Sequence, residues 1–212
     1  QTALRSITFH STSEDPTISS GSRTINWAVT DADSESLGAK TSTAVTSTIN
    51  IIPLTDAPVM TAGGTLSYTE NETATMIDNT ITITDDDDIE ISGATVTISS
   101  GITIGDTLTL TTQFGISGTY DRSTGVLTIT GQASKENYQT ALRSITFHST
   151  SVDPTISSGS RTISWTVTDA NSDGAGAGTS TAVISTINIT PTNDPPVMTA
   201  GGTLSYTENE TA

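Results

Sequence analysis

The feature that most constrains this chain is that it repeats itself. QTALRSITFHSTS stands at residues 1–13 and again at 139–151, and VMTAGGTLSYTENETA stands at 59–74 and at 197–212. Residues 1–74 align on 139–212 without a gap, and more than four positions in five are identical. A fixed period of 138 residues is the mark of a tandem array of one folding unit. The phase follows from two connectors, PLTDAPV (53–59) and PTNDPPV (191–197), both rich in proline and polar residues. Proline fixes φ and removes a backbone donor, which suits a stiff link between domains. Junctions near 58 and 196 make 59–196 one complete unit, 1–58 the C-terminal part of a preceding one, and 197–212 the start of the next. A unit that begins near residue 1 is the competing parse. The chain opens on Gln1 without a signal-like segment and reads as a piece of something longer.

Within the unit the patterning is all β. RTISWTVTD (161–169) alternates strictly, placing Ile163, Trp165 and Val167 on one face and Thr162, Ser164, Thr166 and Thr168 on the other. Leu108 with Leu110, and Leu127 with Ile129, continue the inward set. β-Branched Thr, Val and Ile suit a half-buried pleated surface, and Gly, Asp, Asn and Ser punctuate the runs as in an antiparallel sandwich. SKENYQTALRS (134–144) breaks the alternation and predicts a short helix with Ser134 as its N-cap. The two copies check one another. Asn26/Ser164, Ala28/Thr166, Thr46/Ile184 and Ile52/Thr190 differ, all on the face assigned outward, while Ile25/Ile163, Trp27/Trp165, Val29/Val167, Ile49/Ile187 and Ile51/Ile189 match. One face tolerates change and the other does not, as a one-sided core requires. Residues 1–58 should supply three strands, near 5–10, 23–31 and 42–52, with open edges that invite pairing with another molecule.

Seven Lys and Arg against 23 Asp and Glu give a formal charge of −16. Such a surface repels nucleic acid and anionic membrane and attracts cations. Cysteine is absent, which removes disulfides, thiolate metal sites and cysteine nucleophiles. No run approaches the length of apolar chain that a membrane helix needs. His10 and His148 are one repeated position with no nucleophile motif beside it, and paired carboxylates for glycoside hydrolysis would not be expected to bunch at repeat junctions. An enzyme is not expected.

The acidic residues gather at strand ends. TDADSES (30–36) and TDANSDG (168–174) keep an oxygen-bearing side chain at every second position after the Thr: Asp31, Asp33 and Glu35 in one, Asp169, Asn171 and Asp173 in the other. Glu70 and Glu72, the run Asp85 to Asp88, and Asn193 with Asp194 complete the set in the full unit, and Asp56 marks the first connector. Ca²⁺ takes six to eight oxygens in flexible geometry, so carboxylates from separate loops can share it. Four consecutive aspartates repel one another unless a cation compensates. The plainer alternative is a solvated acidic surface. TDANSDG also matches the first half of a helix–loop–helix calcium loop. Its twelfth position, however, is Ser180 (Ser42 in the other copy) and its flanks are strands, which excludes an EF-hand but leaves a loop site.

The order TENE, TDDDD, VTDAN, TNDPPV along successive strands resembles the cadherin repeat. More closely it is similar to the cadherin-like, Ig-type extender repeats of large bacterial RTX adhesins, as are the runs GVLTITGQASKENYQTALRSITFHSTS and RTISWTVTDA. The resemblance implies an Ig/cadherin-like antiparallel β-sandwich with Ca²⁺ at the junctions. Its ligands would be Glu70, Asp85 and Asp87, Asp169, and Asn193 with Asp194, with Asp56 serving the first junction. It departs where PLTDAPV offers one acid and no Asn, and where no DRE-like triplet is found. It further implies an extracellular protein of the bacterial surface whose partners are neighbouring identical repeats. The expected role is a calcium-rigidified extender; the alternative is a carbohydrate- or surface-binding adhesin module. Against the latter, alternation points Trp27 and Trp165 into the core, where neither could serve as a sugar platform.

Overall fold

The computed structural model describes residues 2–209. Up to residue 58 there is a single helical turn, α1 (Thr2–Arg5), and two strands, β1 (Ser22–Trp27) and β2 (Val45–Asn50). Then follow β3 (Val59–Thr61), β4 (Thr65–Thr69), β5 (Thr75–Met76), β6 (Thr82–Thr84), β7 (Glu90–Ser100), β8 (Asp106–Thr109), β9 (Ser117–Asp121) and β10 (Val126–Ser134). The helix α2 (Lys135–Arg143) precedes β11 (Thr146–Ser149), β12 (Ser160–Asp169) and β13 (Val183–Thr190).

β12 alternates from end to end: its buried residues are Arg161, Ile163, Trp165, Val167 and Asp169, and every residue between them is only half-buried. It lies inside a six-stranded sheet of order β4-β13-β12-β7-β10-β9. The sheets β5-β11-β8 and β3-β6, with α2, form the opposing layer. Side chains from both layers, among them Met60, Tyr68, Ile83, Val96, Leu108, Leu127, Phe147, Trp165 and Ile187, make one buried core. From β3 to β13 the chain is an all-β sandwich with one short helix, α2. That helix starts as expected, with Ser134 Oγ accepting the Asn137 amide, and buries Tyr138, Ala141 and Leu142.

The entry into the sandwich changes layer. β3 pairs antiparallel with β6, and after two glycines β4 pairs parallel with β13, on the other sheet. Asp78 fixes the crossing: its Oδ2 accepts the amides of Gly63 and Gly64 at 3.0 and 2.7 Å and the Ser185 hydroxyl at 2.6 Å, while its Oδ1 accepts the Thr80 amide and hydroxyl at 2.8 and 2.6 Å. A side chain at Gly64 would lie 2.5 Å from Asp78 Cγ, so the approach demands glycine. Because β4 and β13 are parallel, both finish at the end of the sandwich from which the second connector leaves. β12 runs opposite to β13 and finishes at the end where the first connector arrives.

Two expectations about residues 1–58 fail. No strand forms near 5–10; α1 and irregular chain stand there instead. The same sequence TFHS that is β11 at 146–149 is irregular at 8–11, because β11 exists by pairing with β5 and β8, and residues 1–58 contain no counterpart of either. Likewise Trp27 is only half-buried, since no second layer covers β1.

Candidate metal centre

The buried face of β12 begins and ends on a charge. At one end Arg161 is neutralised within the fold. Its Nε lies 2.6 Å from Asp106 Oδ2 with both side chains fully buried, and the guanidinium also donates to the carbonyls of Pro154 and Ser158 at 2.7 and 2.9 Å. At the other end Asp169 is fully buried too, and what it meets is more carboxylate. One ligand oxygen from each of Asp85, Asp88 and Asp169 lies within 4.8 Å of the other two.

Short-range hydrogen bonds build this end. β6 runs out into Asp85–Asp88, where Asp85 Oδ1 accepts the amides of Asp87 and Asp88 at 3.2 and 2.9 Å. This closes a turn that aims Asp88 inward. Lys135, first residue of α2, donates to the carbonyl oxygens of Asp85 and Asp88 at 2.6 Å each and so pins the loop through its backbone. Ser172 donates to Asp88 Oδ1 through both its amide and its hydroxyl. Asp169 accepts the Asn171 amide on one oxygen at 3.0 Å and the Gly178 amide on the other at 2.6 Å. The first connector joins in: the Asp56 amide donates to Asp87 Oδ2 at 2.8 Å, and Thr55 Oγ1 donates to the Gly176 carbonyl.

After this accounting, several oxygens remain. Asp85 Oδ2, Asp87 Oδ1, Asp88 Oδ2 and Asp173 Oδ2 are buried without a hydrogen-bond partner. A buried charged oxygen without a donor costs several kcal/mol on the order of a lost charge-assisted bond. Among the described residues the only carboxylate in an ion pair is Asp106, at the far end of β12. The ionisation equilibria register the strain. Burial, and next the neighbouring Asp87 carboxyl, pushes Asp85 up to about 6. Burial also raises Asp169, and the charges of Asp88 and Asp87 add to it. Every free donor here is a carboxylate oxygen on a loop, with neither imidazole nor thiolate among them. That set fits a hard divalent cation, and 4.8 Å between oxygens is within what two ligands at about 2.3–2.6 Å from one Ca²⁺ can span.

The residues singled out in the sequence divide by the length of the sandwich. Asp56, Asp85, Asp87, Asp169 and Asp173 come together at the first connector. Asn171 lies in the same loop but is exposed, its Oδ1 turned back onto the Gly176 amide at 2.7 Å. Glu70 stands at the opposite end, buried, with Oε2 accepting the Thr192 amide at 2.7 Å and Oε1 unpartnered. Asn193 and Asp194 are exposed just beyond it. Asp31 and Asp33 occupy the far end of the β1–β2 hairpin, where their carboxylates accept amides of their own loop. Ser180 and Ser42, the twelfth positions of the loop match, accept the amides of Val167 and Val29 at 3.1 and 3.2 Å; they tie off a hairpin. Asp88 is the residue the sequence pattern passed over. The resemblance implied Asp85 and Asp87, but a tight turn brings residues three apart to one side.

No protein-family model matches the chain. It is 36% identical over 108 residues to halomucin of Haloquadratum walsbyi, a match that takes in 48% of this chain and 1% of halomucin. Among solved structures, protocadherin gamma B2 extracellular cadherin domains 1–5 superposes with a TM-score of 0.34 at 13% identity, over 82% of this chain and 27% of that one. A superposition that loose carries no argument.

Proposed function

We propose that the 138-residue unit is a structural extender of a long extracellular surface protein, stiffened by Ca²⁺ at the connector between units. The observation that carries this is the uncompensated end of β12: buried carboxylates with free oxygens, joined by an amide of the proline-rich segment 53–59. Asp85, Asp88 and Asp169 would hold the cation, with Asp87 and Asp173 beside them and Asp56 positioned by the connector. A bound divalent cation supplies the counter-charge that the fold itself supplies at Arg161. Glu70 with the second connector offers the same unsatisfied chemistry to a following unit. The match to halomucin, of which this chain spans 1%, agrees with a module of a very long polypeptide.

The proposed role is mechanical and non-catalytic. Ten-residue strands at about 3.3 Å per residue, plus a connector, give a reach of roughly 35–45 Å per unit. Without cation the acidic ends repel and the connector hinges; with it the units stack as a rod. In an adhesin of the RTX kind this would hold a distal binding domain away from a bacterial cell.

Thermal unfolding in calcium, in chelator and in magnesium tests the reading. Calcium at 100 times its Kd should add about 2.7 kcal/mol, a rise on the order of 10 °C for a domain of this size. Asp85→Ala with Asp88→Ala should abolish the rise. Equal midpoints in calcium and chelator would leave the acids as a solvated surface and end the proposal.

A further inference from the structure

The two copies of the acidic loop differ at five positions, and one of these, Lys40 against Gly178, lies where a connector touches the second copy. Their backbones match. Thr30 bridges Thr41 as Thr168 bridges Thr179, and Asp31 donates its amide to the Lys40 carbonyl at 3.0 Å as Asp169 does to Gly178 at 3.1 Å. Lys40 and Gly178 therefore hold one place in the fold. At Gly178 that place is against the connector. A Cβ there would lie 2.9 Å from the Cα of Ala57, 2.9 Å from Asp169 Oδ2 and 3.1 Å from Thr55 Cγ2. The first of these is backbone and cannot swing aside, and Gly178 has no left-handed φ to account for the glycine. Space alone requires it.

Any side chain at 178 must push residues 55–57 away from the loop. Two contacts leave with them: Thr55 Oγ1 to the Gly176 carbonyl and the Asp56 amide to Asp87 Oδ2. A lysine does more, because its stem starts beside Asp169 and its ammonium is a cation tethered within reach of the cluster.

We infer that the residue at 178, and at 40 in the other copy, sets the kind of junction a unit makes. Glycine lets the connector seat and leaves the carboxylates for a divalent cation; lysine unseats the connector and brings its own positive charge. This rests on the calcium reading above and adds to it that the array contains stiff and loose junctions, written in one position per unit. A unit of the Lys40 type would be a built-in hinge.

The test compares the full chain with Gly178→Ala, which adds bulk alone, and Gly178→Lys, which adds bulk and charge. Hydrogen exchange of the Asp56 amide, measured in chelator, reads connector seating without any metal. Titration with CaCl₂ reads the site. Both variants should expose the Asp56 amide, while amides of β12 stay protected and show the fold intact. Calcium should bind about tenfold more weakly to Gly178→Ala, as for loss of an outer-shell support, and not measurably to Gly178→Lys. Unchanged Asp56 protection together with unchanged calcium affinity in Gly178→Lys would overturn the inference. A parent chain that takes no calcium defeats the calcium reading and the cation half of this one, while Asp56 exchange still decides the seating half.

Discussion

The hairpins β1–β2 and β12–β13 are built from nearly the same residues and pair in the same register, yet only one of them has a core. Ser22 faces Asn50 and Trp27 faces Val45, just as Ser160 faces Asn188 and Trp165 faces Val183. Local contacts are copied bond for bond. Trp27 Nε1 donates to Ser47 Oγ at 2.9 Å and Trp165 Nε1 to Ser185 Oγ at 2.9 Å. Arg23, like Arg161, donates to the carbonyls of the proline seven residues back and the serine three back. Everything that needs a distant partner differs. Phe9 is 48% exposed and Phe147 is fully buried; Val29 is 52% exposed and Val167 is fully buried. The second repeated segment teaches the same: VMTAGGTLSYT forms β3 and β4 at 59–69 but no strand at 197–207. Hairpin register and turn bonds are settled within the span of one hairpin, Ser22 to Asn50 or Ser160 to Asn188, whereas a β-sandwich buries its faces only when strands far apart in sequence close over them.

The sharpest way to break this comparison is the buried ion pair. Asp106→Ala leaves the Arg161 guanidinium charged and buried, which should cost about 3–5 kcal/mol in urea unfolding. Arg23 bonds the same local carbonyls without a buried carboxylate, and Arg23→Ala should stay within about 0.5 kcal/mol. Equal effects would mean that the two arginines do the same work.

Asp78 comes next, because only residues 59–74 of the two copies meet it; Gly201 and Gly202 have nothing within 4 Å of a Cβ position. Asp78→Asn weakens the clamp on the layer change and should cost about 1–3 kcal/mol. Burial by itself would raise this carboxyl, but the bonds from Ser185, Thr80 and Gly63 outweigh it and hold it well below the usual carboxylate range. Its folded value therefore lies below its unfolded one. The stabilisation is complete above pH of about 4 and is lost as pH falls through the folded value. Urea midpoints from pH 5 downward should fall less steeply in Asp78→Asn than in the parent, and parallel curves would remove Asp78 from the acid transition.

A smaller effect separates the two phenylalanines. Phe147→Leu should cost about 1–1.5 kcal/mol, whereas Phe9→Leu should leave the unfolding midpoint where it was. The smallest effect is a transplant. Placing the first copy's outward residues into the second, Ser164→Asn with Thr166→Ala, should change stability by no more than about 0.5 kcal/mol each. A larger loss would show that the outer face of β12 carries more than solvent contact.

Much of this was legible in the residues. Alternation placed Ile163, Trp165 and Val167 inward, and the mismatched positions between copies marked the outer face. Ser134 announced α2, because a cap is a contact between residues three apart. The same alternation also put Arg161 and Asp169 on the buried face. Read as a strand's charged ends, they give no hint that one would find Asp106 and the other would not. Nor could spacing separate Glu70, Asn193 and Asp194 from Asp56, Asp85 and Asp169, since which strands run parallel decides which loops share an end.

The sequence by itself determined the period, the strands carrying Leu108–Leu110, Leu127–Ile129 and Ile163–Val167 with their inward faces, the helix after Ser134 and the acidic character of the loops, all of which rest on patterns between near neighbours. Only the tertiary structure decided that residues 5–10 form no strand, that Asp88 replaces alternation with a turn, and that Gly178 must be glycine because a connector some 120 positions earlier in the chain lies against it. The physical reason is one of range. Hydrogen-bonded turns and side-chain alternation act within a few residues. Burial, ion pairing and close backbone approach are set by which distant segments the fold brings together.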